Sequence, residues 1–576
     1  MITVLSAASL PFCLYYLARK FKFSSSESAV IAFLTMLPIA GLNLACGGTF
    51  FSLFIVGLGT NALALPLFLI YIGKLKEEVD RIKEGKAADF TPAGYIFLTI
   101  LAVAIALSQF VVTFATIMAA AIIILNSFSK PIYLFAAKHA AIVFLICSFF
   151  YLPIAAYSKY IEDAGTILSM GFFLTIPMLL LILLGGVASI LDKDPRFDRT
   201  FFMLIAFFSV ALFLDFGQVG LPMHAYRFVI FFLLFAMMLP VKLVINNLGN
   251  WKIKGVLLFC FIFLLGWQFK VLLLQNPRTE INYNRLFLYN TYRDAAPQYP
   301  ANFNLDKLDG RVLLLDAPNR LAPRATEHLL AWKTNNYFLI GMFGDNKNSR
   351  YLYSLPAKTL GLFASPPPSN PTQQASYWWQ AQNLGKLLKL FQINYILSES
   401  PIRNPRLIKR VPVRLDRPPY YLYQIGNNKS AELLAYKPYC AEDNWPALVY
   451  NWCQSPDPRL LVKAKSLPDQ VAAAGDHIKI VEEKISPARF KFKVTAKQPV
   501  PILVRVSYFP GWRASVNGKP TKIYQAAPAL MLIYGQGDII LEYRPTMVNY
   551  LSYLMVIIGL VFFIVDWRSK LKFFIA

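Results

Sequence analysis

Two short stretches carry side chains that could do chemistry. One follows Phe149-Phe150-Tyr151-Leu152-Pro153 and holds Lys159, Glu162 and Asp163. The other runs from Asp215 to Arg227 and includes His224. A carboxylate such as Asp215, Glu162 or Asp163 can act as a general base or hold a divalent metal. The planar fork of Arg227 can grip a phosphate through two hydrogen bonds, with His224 and Lys159 as further donors. Each has a plainer alternative. Arg227 can anchor a span among headgroups, Asp215 can terminate a helix, and Glu162 and Asp163 can be solvated loop residues. His224 reads as an interfacial polar residue. The signatures of soluble enzymes are missing: no P-loop, no Gly-rich dinucleotide turn, no His-Glu-x-x-His. His139, His224, His328 and His477 lack metal-ligand spacing. No cofactor is evident, and a divalent metal on the carboxylates is the one inorganic partner these residues allow.

The elements that must position these residues are membrane helices. Of 576 residues, 56% are hydrophobic and 15% charged, with mean hydropathy +0.47. A soluble chain carries about 25% charged residues. Residues 28–73, 90–129 and 164–191 contain no Asp, Glu, Lys or Arg. A span needs roughly 20 apolar residues, so these runs hold about five helices. Residues 2–18, 139–156, 200–214, 228–246, 255–269 and 547–566 complete about eleven spans. Between Lys270 and Thr546 prolines cluster and apolar runs shrink to strand length. The sequence therefore predicts a polytopic α-helical membrane protein with a large extracytoplasmic α/β plus β-sandwich domain before the last span. The expected divisions are a membrane domain over 1–270, an α/β subdomain over 271–435, a disulfide-containing connector over 436–476, a β-sandwich-like subdomain over 477–546, and a final helix with a basic tail over 547–576.

Orientation follows from the basic residues. With the loops numbered alternately, one set holds 19 Lys or Arg, and the other, apart from the large domain, holds only Lys159 and Arg227. The positive-inside rule puts the first set and the C-terminus in the cytoplasm, and the large domain outside. The first span then begins outside. That predicts either that an upstream helix is missing or supplied by a partner chain, or that the first helix is naturally N-out. Lys74–Asp89 reads as a surface helix on the inner leaflet, with Leu75, Val79 and Ile82 on one face.

Strands are expected at Val312–Leu315, Ile393–Leu397, Tyr420–Gln424, through Phe490, Phe492 and Val494, at Leu503–Val506 and at Ile539–Tyr543, with a helix at Asn383–Phe391. Asn517-Gly518 marks a hairpin between Ala514–Val516 and Lys522–Tyr524. Cys440 and Cys453 lie on the oxidising side, which favours a disulfide over two free thiols. Such a bridge would contribute about 3 kcal/mol. Cys13, Cys46, Cys147 and Cys260 read as packing residues. The net charge of +25 is partly the orientation signal and partly a basic outer stretch of Arg403, Arg406, Lys409, Arg410, Arg414 and Arg417. Outside a cell such a stretch meets anionic lipid heads, lipid-linked phosphates or anionic wall polymers, or is simply solvated. Nucleic acid is not an expected partner there.

Five stretches carry a family resemblance: Tyr15–Lys20 closing a span, Ser148–Pro153, Pro222–Phe228 opening a span, Leu388–Leu397, and Tyr508-Phe509-Pro510-Gly511-Trp512-Arg513 before Val516-Asn517-Gly518. With them the chain resembles the YfhO-like bacterial membrane proteins with the C-type glycosyltransferase fold, a branch that includes proteins labelled as related to 6-pyruvoyl-tetrahydropterin synthase. The resemblance implies sugar transfer from a polyprenyl-phosphate donor to a cell-envelope acceptor on the outer face. In that fold the key acidic residue sits in the first outer loop, between the first two helices. This chain matches from the second of those helices, so no acidic residue is carried over and the chain is expected to be incomplete or inactive by itself. Arg227 is carried over as a lipid-phosphate contact. The competing reading is a non-catalytic scaffold that binds anionic envelope material. A transporter fits least, since no internal repeat is visible.

Overall fold

The apolar runs become helices, and their ends are set by polar side chains. In the computed structural model, residues 2–34, 59–157, 199–213, 311–314, 389–398, 409–410, 421–469 and 479–575 are described, with a few interior gaps, as are single positions between 228 and 241. Two units are distinguished. One comprises Met1–Ala156, Asp163–Asn290 and Val548–Ala576; the other comprises Tyr157–Glu162 and Thr291–Met547.

The first unit is helical. Its described helices are α1 (Ile2–Lys20), α2 (Ser25–Leu34), α3 (Gly59–Lys83), α4 (Pro92–Ser108), α5 (Phe110–Leu125), α6 (Lys130–Ala156), α7 (Arg199–Phe213) and, after the second unit, a helix over Met547–Ile575. Ser24 and Glu27 form a reciprocal cap before α2. The Glu27 amide donates to Ser24 Oγ at 3.2 Å, and the Ser24 amide donates to the Glu27 carboxylate at 2.6 Å. The charge-free run 90–129 is broken at Gln109, whose extended backbone (φ −160°, ψ 120°) ends α4. Its side-chain oxygen accepts from the Val111 amide at 2.6 Å and so starts α5. The core is rich in aromatic rings: Phe68, Phe208, Phe231 and Phe235 stack and meet edge to face.

Two expectations change here. Among the described residues, two helices are long and apolar enough to cross a membrane, Lys130–Ala156 and Met547–Arg568; Pro92–Ser108 and Phe110–Leu125 are shorter apolar helices. The expected total of eleven spans is therefore not established. The surface helix expected from Lys74 is instead the continuation of α3. Leu75 and Val79 are buried in the helical core. The apolar face packs against the other helices, and the charged residue buried with it is paired. Glu78, only 1% exposed, meets Lys74 at 3.0 Å and Arg81 at 3.4 Å, and accepts from Thr91 Oγ1 at 3.0 Å. A buried charge needs such partners.

The second unit is built from sheets. Strands β1 (Arg311–Leu314), β2 (Ile393–Ser398), β3 (Lys409–Arg410) and β4 (Tyr421–Gln424) form a mixed sheet in the order β1-β2-β4-β3. Next come β5 (Ala431–Leu433), β6 (Tyr439–Ala441), α8 (Trp445–Gln454), β7 (Leu461–Lys463), β8 (Lys479–Ser486), β9 (Arg489–Thr495), β10 (Val500–Val504), β11 (Trp512–Val516), β12 (Lys519–Thr521), β13 (Ile523–Ala526), β14 (Leu530–Gly535) and β15 (Gly537–Tyr543). The Met547–Ile575 helix is α9. A six-stranded sheet, β5-β10-β14-β13-β7-β6, faces a five-stranded one, β12-β11-β15-β9-β8. Phe490, Phe492 and Val494 alternate inward along β9 as expected and meet Ile502, Val504, Ile533 and Leu541.

The six-stranded sheet decides the boundaries. Every residue of β10 and β14 is buried, so both faces of that sheet are covered. One face carries the sandwich core. The other carries Trp445, Val449 and Trp452 of α8 with Leu390, Phe391 and Ile393. The region expected as a connector, 436–476, thus supplies β6, α8 and β7 to the sandwich. Hairpin residues Asn517 and Gly518 take φ of 49° and 79°, but the second strand of that hairpin is Lys519–Thr521. Ile523–Ala526 crosses to the six-stranded sheet. The expected helix at Asn383–Phe391 falls mostly outside the described residues.

Candidate functional site

Most residues singled out by type and spacing lie outside the described residues: Lys159, Glu162, Asp163, Asp215, His224, Arg227, Arg403, Arg406, Arg414 and Arg417. Lys409 and Arg410 form β3, at the end of the mixed sheet, and pair with Gln424 and Tyr423 of β4. The side chain of Cys453, the expected partner of Cys440, lies outside the described residues. Cys440 is a free, exposed cysteine. It sits on β6 opposite Val462, and its thiol meets the Lys465 carbonyl at 3.6 Å. Cys453 belongs to the last turn of α8. Cys13 and Cys147 are buried and free, as expected of packing residues. Among the described residues no cluster of His, Cys, Asp and Glu could hold a metal ion.

What the helical unit does bring together is a cavity of about 690 Å³ between α4, α5 and α6, with Tyr71 of α3 in its wall. Small side chains create the space, among them Ala102, Ala120, Ala136 and Ala140. Among the described residues, His139 is the one imidazole in the wall. It is buried, 3.1 Å from Tyr71 Oη and 3.3 Å from Thr99 Oγ1, and stacks on Phe135 at 5.1 Å between centroids. Both ring nitrogens are occupied, so His139 is a fixed polar point in an apolar wall rather than a waiting base. The sequence alone lists His139 among scattered histidines. Its position inside an apolar helix is the signal that singles it out.

The second unit is organised around a buried arginine. Arg505, 2% exposed, follows β10 and donates to the Lys429 carbonyl and to Glu432. Arg311 of β1 donates to the Arg505 carbonyl at 2.8 Å and to the Phe391 carbonyl at 3.1 Å. These bonds tie the mixed sheet to the sandwich. A further cluster lies where the chain enters and leaves this unit. Tyr157 donates to Thr546 Oγ1, and its ring meets Phe509 edge to face at 5.2 Å. Phe509 in turn lies 6.1 Å from Tyr543, and Trp512 packs edge-on to Tyr543 at 5.7 Å. The Tyr-Phe-Pro-Gly-Trp stretch is thus a packing device at the chain crossings.

No family model matches this chain, and no curated protein matches it. Solved structures do. A cryo-EM structure of the arabinofuranosyltransferase AftD from Mycobacteria is 12% identical, with a TM-score of 0.40, over 95% of this chain and 51% of that one. A mutant of the same protein gives 10% identity and a TM-score of 0.44 over 95% of this chain and 53% of that one. The chain therefore spans about half the length of the proteins it resembles. A likeness at these scores assigns no activity.

Proposed function

We propose that this chain is a glycosyltransferase-like protein of the cell membrane. It moves sugar from a polyprenyl-phosphate donor to a cell-envelope acceptor on the extracytoplasmic face. The observation that carries the reading is architectural. A folded, sheet-rich unit of Thr291–Met547 is inserted in sequence between helical segments, and two of those helices, α6 and α9, are long and apolar enough to span a bilayer. That is the layout expected of a protein that meets a lipid-borne substrate at a membrane face. In this reading Arg227, His224 and Lys159 contact the lipid phosphate. Asp215, Glu162 and Asp163 supply the general base or hold a divalent metal.

The experiment is transfer of a radiolabelled polyprenyl-linked sugar in membranes carrying the full chain. Arg227→Ala is expected to reduce transfer while expression and detergent elution stay unchanged. Unchanged transfer removes Arg227 from the site. Absence of transfer by the unaltered chain favours the second reading, a scaffold that binds anionic envelope polymers. One feature supports that alternative: Lys409 and Arg410 form the end strand of the mixed sheet. Binding of the chain to an anionic wall polymer, weakened by added salt, is its expected signature.

A further inference from the structure

The cavity between α4, α5 and α6 has two unlike ends. It follows α5 from Phe110 to Leu125 and α6 from Tyr151 back to Ala136. Those sixteen residues of α5 span roughly 24 Å, most of a hydrocarbon core. The hydroxyl and imidazole groups of the described wall residues are already engaged. Thr113 donates to the Gln109 carbonyl at 2.8 Å, Thr116 to the Val112 carbonyl at 2.7 Å, and His139 is held by Tyr71 and Thr99. The occupant therefore needs no hydrogen bonds; it must be apolar and long.

One end is closed. Tyr151 donates to the Ala106 carbonyl at 2.6 Å and contacts Thr113 at 3.3 Å, with its ring 6.0 Å from Phe110. This is the end from which the chain leaves α6 for the sheet-rich unit. At the other end Leu125 is 59% exposed. Past that end, outside the wall itself, lie two lysines. Lys83 donates to the Asn126 carbonyl at 2.6 Å, in the loop after α5, and Lys130 opens α6 as an exposed residue. Along the side, Ile117 and Phe144 are each 55% exposed, which leaves lateral access.

We infer that this cavity holds one acyl chain of an anionic phospholipid, whose phosphate lies at the Lys83–Lys130 end. The inference rests on the proposed membrane location. It does not rest on sugar transfer, and its ligand is distinct from the donor lipid, whose phosphate would lie at the opposite membrane face. By the positive-inside reading the lipid comes from the cytoplasmic leaflet. Charge complementarity selects the anionic headgroup, because each lysine near an anionic surface favours it.

The test uses the full chain purified in mild detergent, with native mass spectrometry after addition of phosphatidylglycerol or phosphatidylcholine. One phosphatidylglycerol per chain should be retained in preference to phosphatidylcholine. Lys130→Gln should lower that preference by about fivefold. Ala121→Phe and Ala140→Phe, which fill the cavity, should cut retention to below about one-tenth. Equal retention in the filled variants, or no preference for the anionic lipid, overturns the inference. So does a stronger retention of polyprenyl phosphate. A photo-crosslinking residue at Val143 reads the same cavity without filling it. A phospholipid adduct supports the inference, and its absence under illumination overturns it. Membrane location is read separately, by resistance to alkaline carbonate extraction. Release by carbonate would overturn the membrane reading itself.

Discussion

Ser148 on α6 donates its hydroxyl to the main-chain carbonyl of Ser552 on α9, at 2.9 Å, across 404 residues of chain. Two further contacts lie along the same pair of helices. A Cβ added at Gly559 would fall 2.7 Å from Leu145 Cβ and 3.0 Å from the Ile146 nitrogen. Lys138 pairs with Asp566 at 3.2 Å. Ser552, Gly559 and Asp566 are spaced by seven residues, and their partners run in the opposite order along α6. α6 and α9, which precede and follow the sheet-rich unit in sequence, are thus packed antiparallel, with a small-residue seam in the middle.

Gly559→Leu should open that seam. Overpacking of this kind costs about 1–3 kcal/mol. The check is disulfide trapping between Ser148→Cys and Ser552→Cys, which should form readily on the natural background and poorly with Leu at 559. Undiminished trapping would show that the seam tolerates a large side chain.

Gly511→Ala should loosen the crossing cluster of the second unit. The new Cβ would lie 2.5 Å from the Tyr543 ring and 3.1 Å from the Arg544 carbonyl. A loss of about 1–3 kcal/mol is expected, read as earlier denaturation followed by Trp fluorescence. Trp512 packs directly on the displaced ring.

Arg505→Met should be costlier. Arg505 is buried and meets Glu432 and the Lys429 carbonyl. Removing one partner of such a pair costs about 3 kcal/mol or more. Limited proteolysis should cut first in the segments that join the mixed sheet to the sandwich. A wild-type digestion pattern would refute the central role of Arg505.

Cys440 should react as an accessible thiol. In a variant without the other five cysteines, a membrane-impermeant maleimide should label Cys440 on intact cells if the sheet-rich unit lies outside. Labelling only after lysis would reverse the proposed topology. In the natural chain, peptide mapping without reductant should recover Cys440 singly alkylated.

Alkaline pH should weaken the sandwich. Burial, with Glu432 adding to it, pushes the Tyr436 phenol from 10.0 up to about 12. Burial likewise pushes Tyr534 up to about 12. A raised folded value means the neutral phenol is favoured in the native state. That contribution is fully present below about pH 10 and is lost as pH rises through about 12. Phenolate absorbance should show late-titrating tyrosines, Tyr436 and Tyr534 among them, and the unfolding midpoint should fall between about pH 10 and about pH 12. Uniform titration near 10 would contradict the burial.

Local structure was well marked in the sequence. The alternation of Phe490, Phe492 and Val494 gave β9, because side chains on a strand point to opposite faces in turn. Asn517-Gly518 gave the tight turn, because both residues accept positive φ. Charge-free runs marked helices wherever the structure describes them. The site was less legible. Apart from Lys409 and Arg410, the acidic and basic residues chosen by type lie outside the described residues. The cavity that the structure does contain is made by alanines, which signal nothing on their own.

By itself, the sequence determined the division into an apolar helical part and a sheet-rich part, since composition and periodicity are local properties. It also determined where strands and the main hairpin turn fall. Only the tertiary structure decided that 431–463 belongs to the sandwich, because a sheet buried on both faces needs strands and a helix from elsewhere in the chain. It decided that Lys74–Lys83 continues a core helix, because Leu75 and Val79 pack into the helical core while Glu78 pairs with Lys74 and Arg81 on its own helix and with Thr91 beyond it. And it decided that Cys440 sits exposed on a strand of the sandwich, opposite Val462, because the register of two neighbouring strands is set by the whole sheet.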